Sequence, residues 1–100
     1  MKNLSDNVFI RSIDVKRLNR LVNELRKRGL WAERHSYSIR IIYNNIIVAS
    51  LHLYPGFNEA ILRLYGGFID NYVYNIISRV LREVLGDFKL VVERVTRDVL

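Results

Sequence analysis

Ser36-Tyr37-Ser38-Ile39-Arg40-Ile41-Ile42-Tyr43-Asn44-Asn45-Ile46-Ile47-Val48-Ala49-Ser50-Leu51-His52-Leu53-Tyr54 is the stretch that decides the fold. Two β-branched and aromatic runs flank an Asn-Asn pair. After glycine, asparagine tolerates positive φ best, and a two-residue hairpin loop needs positive φ at its centre. The stretch therefore predicts two antiparallel strands, roughly 35–43 and 46–54, joined by a tight turn.

A two-residue loop fixes the register. Carried without interruption, it puts Tyr43 with Ile46, Ile41 with Val48, Ile39 with Ser50, Tyr37 with His52 and His35 with Tyr54 on one side. Ile42 with Ile47, Arg40 with Ala49, Ser38 with Leu51 and Ser36 with Leu53 take the other. A half-solvated antiparallel sheet alternates apolar and polar residues. Here both sides are apolar near the turn, so both are expected to meet something. One partner is the chain's own helices, and two assignments stay open. The first side is either the core, built on Ile39, Ile41, Ile46 and Val48, or an aromatic and basic platform. In the former case the second side is an exposed apolar surface, which usually marks an interface.

Upstream, Asp14 is placed to cap a helix in which Val15, Leu18, Leu21, Val22 and Leu25 recur at helical spacing, with Gly29 at its end. Lys16, Arg17, Arg20, Arg26, Lys27 and Arg28 lie on or beside its polar arc against Glu24 alone. They suit either the negative end of the helix dipole or a phosphate-binding face. Leu30-Trp31-Ala32 leads into the hairpin, and the lone Trp is either a core or rim anchor or a stacking platform. Residues 1–7 are polar and expected to be frayed. Residues 8–13 fit a short strand, an extended arm or part of the first helix.

Downstream, Pro55-Gly56 marks a loop and residues 59–65 a third strand, stopped by Gly66-Gly67. Phe68 to Leu85 carries a wide apolar stripe, predicting a helix buried on more than one side. After Gly86 and Asp87, Phe88 to Val95 alternates well enough for a final strand. The expected fold is a single α+β domain of order (β)-α-β-β-β-α-β: an antiparallel sheet of four to five strands with two helices on one face.

The central α-β-β-β-α order resembles the double-stranded-RNA-binding domain in element order. The stretch at the start of the last helix reads Gly67-Phe68-Ile69-Asp70-Asn71 where that family carries lysines. The same order occurs in toxin ribonucleases of the HicA type, whose sheet histidine has His35 near the corresponding point. A sheet and helices around an apolar, basic-rimmed cleft is also similar to the ThermoDBP single-strand-binding domain of hyperthermophilic archaea.

The 100 residues carry a net charge of +6, which points to a polyanionic partner. No apolar run approaches the ~20 residues of a membrane helix, and Asp6 and Asn7 stand where a secretory signal would be apolar, so a cytoplasmic protein is expected. With no cysteine, disulfides and thiolate metal sites or catalysis are excluded. The absence of glutamine and the single methionine fit a thermophilic source, while the frequent asparagines run against it.

Function is expected to follow from charge and sheet. Phosphate contacts by Lys16, Arg17, Arg20, Lys27, Arg28, Arg40 and Arg63, with stacking on Tyr37 and Tyr54, would bind single-stranded DNA or RNA without a cofactor. No helix-turn-helix spacing argues for duplex DNA. The alternative is a homodimer or a subunit docking on a protein partner, with incidental basic charge. A third reading uses His35 and His52. The uninterrupted register makes them diagonal neighbours roughly 5–7 Å apart at Cβ, fit for acid and base in metal-independent RNA cleavage. Gly66-Gly67 lacks the lysine and spacing of a phosphate loop, and no Ser, His and Asp spacing suggests a triad.

Overall fold

The structure, a computed structural model, describes residues 12–66 and 70–95. Helix α1 spans Val15–Lys27 and buries Leu18, Leu21, Val22 and Leu25. Asp14 starts it, its Oδ1 accepting the Arg17 N–H at 2.8 Å. At the other end the Leu30 N–H reaches the Leu25 carbonyl at 3.0 Å and the Gly29 N–H reaches that of Arg26 at 3.1 Å. Gly29 sits at φ +93°. These are the paired bonds of a Schellman motif, whose left-handed residue is favoured as glycine because it has no Cβ to clash. Leu25 and Leu30, the two residues the motif brings together, are both fully buried.

Five strands follow: β1 Trp31–His35, β2 Ser38–Tyr43, β3 Ile46–Tyr54, β4 Glu59–Tyr65 and β5 Lys89–Val95. They lie side by side in chain order. The first four form an antiparallel meander; β5 pairs parallel to β4 after helix α2, Asp70–Leu85. The α+β class, the two helices and the final strand stand as expected. Between the helices, however, there are four strands rather than three, and the β4–β5 pair is parallel. The additional strand is β1. The positions expected to hold a strand, arm or helix start, 8–13, lie largely outside the described residues, as do 1–7 and Phe68. Within them Ile13 is buried and donates its N–H to the Tyr37 hydroxyl at 3.3 Å.

The Asn-Asn turn is as the sequence predicts: Asn44 and Asn45 have φ of +52° and +64°, both positive as a type I′ turn requires. The register beyond it is not. Tyr43 pairs with Ile46 and Ile42 with Ile47, but Ile41 then pairs with Ala49, Arg40 with Ser50, Ile39 with Leu51 and Ser38 with His52. Val48 is an extra residue, a β-bulge. The reason is hydrophobic. Without the bulge, Leu51 and Leu53 would stand on the face opposite Ile39 and Ile41. With it, all four are buried together, and burying each Leu contributes ~1.5–3 kcal/mol. β2 also begins at Ser38 rather than His35, because Ser36, at φ +56°, and Tyr37 turn the chain back from β1.

The core lies between the helices and one sheet face: Ala32, Ile39, Ile41, Leu51, Leu53, Ala60, Leu62 and Leu64 meet Leu21, Leu25, Val73, Ile77, Val80 and Leu81. The other sheet face has no helix over it among the described residues. A single 3-10 turn, Pro55–Phe57, links β3 to β4. Next to it Asn58, at φ +55°, ties two loops: its Nδ2 donates to the Asp87 carbonyl at 2.6 Å and its carbonyl accepts the Lys89 N–H at 2.9 Å. Among the described residues no helix is long and apolar enough to cross a membrane.

Candidate nucleic-acid interface

Strand alternation and the observed register write out the uncovered sheet face row by row. The central row runs Glu33, Arg40, Ser50, Arg63, Glu93 from β1 to β5. Below it lie His35, Ser38, His52, Ile61 and Val91; next come Tyr54, Glu59 and Lys89. Toward the Asn-Asn turn the face carries Trp31, Ile42 and Ile47, with Tyr65 on β4. Trp31 is 50% exposed and Tyr54 40% exposed, large values for aromatic rings.

A carboxylate flanks each arginine of the central row, and that of Glu93 orients Arg63. Arg63 Nε donates to Glu93 Oε1 at 2.9 Å, and Arg40 Nη1 lies 3.8 Å from Glu33 Oε1. The Glu93 contact raises the pKa of Arg63 further, so it is a fixed cation. Its other edge faces the centre, with Nη1 3.5 Å from His52 Nε2. His52 Nδ1 lies 3.1 Å from Ser38 Oγ and Nε2 3.2 Å from Ser50 Oγ; Ser50 Oγ in turn lies 2.8 Å from the Tyr65 hydroxyl. Burial, then the Arg63 charge, lower the His52 pKa, with Glu93 partly opposing. The ring is therefore neutral near pH 7.

A second cationic surface lies on α1. Lys16, Arg17 and Arg20 are exposed and make no ion pair among the described residues. Lys27 pairs with Glu24 at 3.3 Å. Arg28 is committed elsewhere: it contacts Glu24 at 3.4 Å and Glu83 at 2.6 Å, tying α1 to α2. The two surfaces meet at the β1 edge. There Arg26 Nε and Nη2 donate to the Ala32 carbonyl at 3.0 and 2.8 Å, and the guanidinium lies 4.0 Å from the centroid of the Trp31 ring.

Of the residues expected to bind nucleic acid, Arg40, Arg63 and Tyr54 share the uncovered face. Lys16, Arg17, Arg20 and Lys27 share α1. Tyr37 stands apart from Tyr54, turned to the helix side and packed against the core. The histidines keep one face but are not diagonal neighbours. Ser38 separates them, so they lie two strands apart, about 9–10 Å at strand spacing. Two features cause this: the Ser36-Tyr37 turn places His35 on β1, and the bulge moves His52 from opposite Tyr37 to opposite Ser38. Arg26, Ser50 and Glu93 are not signalled as site residues. Arg26 was legible only as one of a basic cluster, and nothing in sequence spacing puts Ser50 between two arginines.

Among the described residues no group of three or more His, Cys, Asp or Glu is placed to hold a metal ion. No family model, curated protein or solved structure matches the chain.

Proposed function

We propose that this protein binds single-stranded nucleic acid across the uncovered sheet face and the adjoining flank of α1. One observation carries the reading: the face without a helix among the described residues presents Trp31 and Tyr54 as exposed rings beside Arg40 and Arg63, and at the β1 edge Arg26 joins it to the basic surface of α1. Single strands need π surfaces for bases and cations for phosphates, and a base stacked on an aromatic ring contributes ~1–3 kcal/mol. A sheet that stacks unpaired bases is also how common RNA-binding modules work. Lys16, Arg17 and Arg20 supply long-range attraction; the sheet supplies position.

The test is fluorescence anisotropy with matched single-stranded DNA, single-stranded RNA and duplex DNA over a salt series. The expected result is preference for a single strand and a log–log salt slope of ~0.7 per phosphate contact. Equal or tighter duplex binding, or no salt dependence, would overturn it. Shortening of the RNA during the assay would instead favour metal-independent cleavage through His52.

A second reading rests on Trp31, Ile46 and Ile47, exposed apolar residues grouped near the Asn-Asn turn. In a homodimer these would be covered. Both sheet edges carry charge, Glu33 and Arg34 on β1 and Lys89, Glu93 and Arg94 on β5, which disfavours pairing through added strands, so a dimer would form through faces. Sedimentation mass at assay concentration separates the readings: a tight dimer without nucleic-acid binding favours the second.

A further inference from the structure

We infer that the centre of the uncovered face is a phosphodiester seat, formed by Arg40, Arg63 and the Ser50 hydroxyl with His52 behind it, and that it takes up a proton when filled. This rests on the nucleic-acid reading for the identity of its ligand.

The hydrogen-bond directions follow from Arg63. A guanidinium can only donate, so His52 Nε2, 3.5 Å from Arg63 Nη1, is the lone-pair nitrogen of the neutral ring. Nδ1 then carries the hydrogen and donates to Ser38 Oγ at 3.1 Å. Ser50 Oγ–H must donate to Nε2 at 3.2 Å, and the Tyr65 hydroxyl, 2.8 Å away, donates to Ser50 Oγ. The Ser50 proton thus points down into the ring.

Ser50 lies between Arg40 and Arg63 in the same row. A phosphodiester above it meets two guanidinium groups but no hydroxyl proton. One proton taken from water by His52 Nε2 changes that. Nε2–H now donates to Ser50 Oγ, which has two lone pairs and still accepts from Tyr65. The Ser50 hydroxyl proton is released to swing toward the anion. The proton balance closes: His52 gains one, water loses one, and Ser50 keeps its own. Without an anion, a protonated His52 would meet the burial and the Arg63 charge that already lower its pKa, which Glu93 only partly offsets. Other charged or titratable groups on this face of the surrounding strands are Arg40 on β2, Glu33 and His35 on β1, Tyr54 on its own strand, Glu59 and Tyr65 on β4, and Lys89 and Glu93 on β5. Glu93 acts as a positioning residue. By holding Nε it turns the Nη edge of Arg63 toward the centre.

The experiment is an NMR titration of the whole chain with dimethyl phosphate, whose single charge does not change between pH 5.5 and 8, and in parallel with a short oligothymidylate. The expected result is a perturbation centred on Ser50, His52 and Arg63. The affinity should rise about tenfold as pH falls, the equivalent of a one-unit upward shift of His52 on binding. His52→Gln should abolish that pH dependence, and Ser50→Ala, on the uncovered face, should weaken binding without disturbing the fold. Dimethyl phosphate that perturbs only α1, or binds with no pH dependence, overturns the seat while oligothymidylate binding keeps the broader reading. Dimethyl phosphate seated as described with no oligothymidylate binding keeps the seat and removes the nucleic-acid reading.

Discussion

The cations of α1 and those of the sheet are of the same kind yet are held in opposite ways. Lys16, Arg17 and Arg20 are exposed and make no ion pair among the described residues. Arg40 and Arg63 sit in a row closed at each end by a glutamate, so that row has no net charge. Free cations attract any polyanion and cost it little to reorient, but they are screened by salt. Held guanidinium groups attract weakly at long range and present fixed donor geometry at short range. Affinity should therefore reside in the helix and discrimination in the sheet.

The largest expected effect comes from neutralising the helix. Replacing Lys16, Arg17 and Arg20 together by Gln should lower single-strand affinity ~10²-fold at 0.1 M salt and reduce the salt slope by about 2, taking ~0.7 per lost contact. Anisotropy across the salt series measures both. Next is Trp31→Ala, at the junction of the two surfaces, which removes a stacking face and should weaken binding by ~1–3 kcal/mol with the salt slope unchanged. A changed slope would mean that Trp31 acts by positioning Arg26 instead.

Asp14→Ala probes whether the helix surface depends on its cap. It removes the bond to the Arg17 N–H and should lower stability by ~1 kcal/mol in urea unfolding, leaving the sheet face intact. The smallest effect belongs to His52. Its pKa is lowered on folding, so the folded state binds fewer protons than the unfolded one as pH drops below the ordinary value of 6.5. Ligand-free stability should therefore decline slightly as pH falls from 6.5 toward the folded-state pKa. His52→Gln should remove that decline, as read by thermal unfolding at a series of pH values.

The sequence made the helices legible because their apolar positions recur at the helical period and glycine ends each. It made the Asn-Asn turn legible because few residue pairs accept two positive φ values. β1 was hidden. Trp31-Ala32-Glu33-Arg34-His35 offers a single small apolar residue to the core, and Ser36-Tyr37 has no recognisable hairpin chemistry. The bulge was hidden more deeply. Ile46-Ile47-Val48-Ala49 is apolar throughout, so period-two alternation is silent where the register slips. Reading the face correctly needed a further argument, that Leu51 and Leu53 must lie on the same side as Ile39 and Ile41. That one residue decides whether Arg40 and Ser38 lie on the face of Ser50 and His52 or on the opposite one, so the site was legible residue by residue but not as a constellation.

The parallel β4–β5 pair has a kinetic consequence. Strands β1 to β4 are joined by short turns, so each pairing closes a small loop soon after its neighbour forms. β5 meets β4 only after the whole of α2 has been laid down between them, a long loop whose closure is slow and entropically expensive. The meander should then form first and β5 dock last. By native-state hydrogen exchange, the amides bonded between β4 and β5 should open at lower free energy than those between β2 and β3. The Asn58 clamp, which joins the Pro55–Phe57 turn to the entrance of β5, is the latch of that last step, and Asn58→Ala should widen the gap between the two sets.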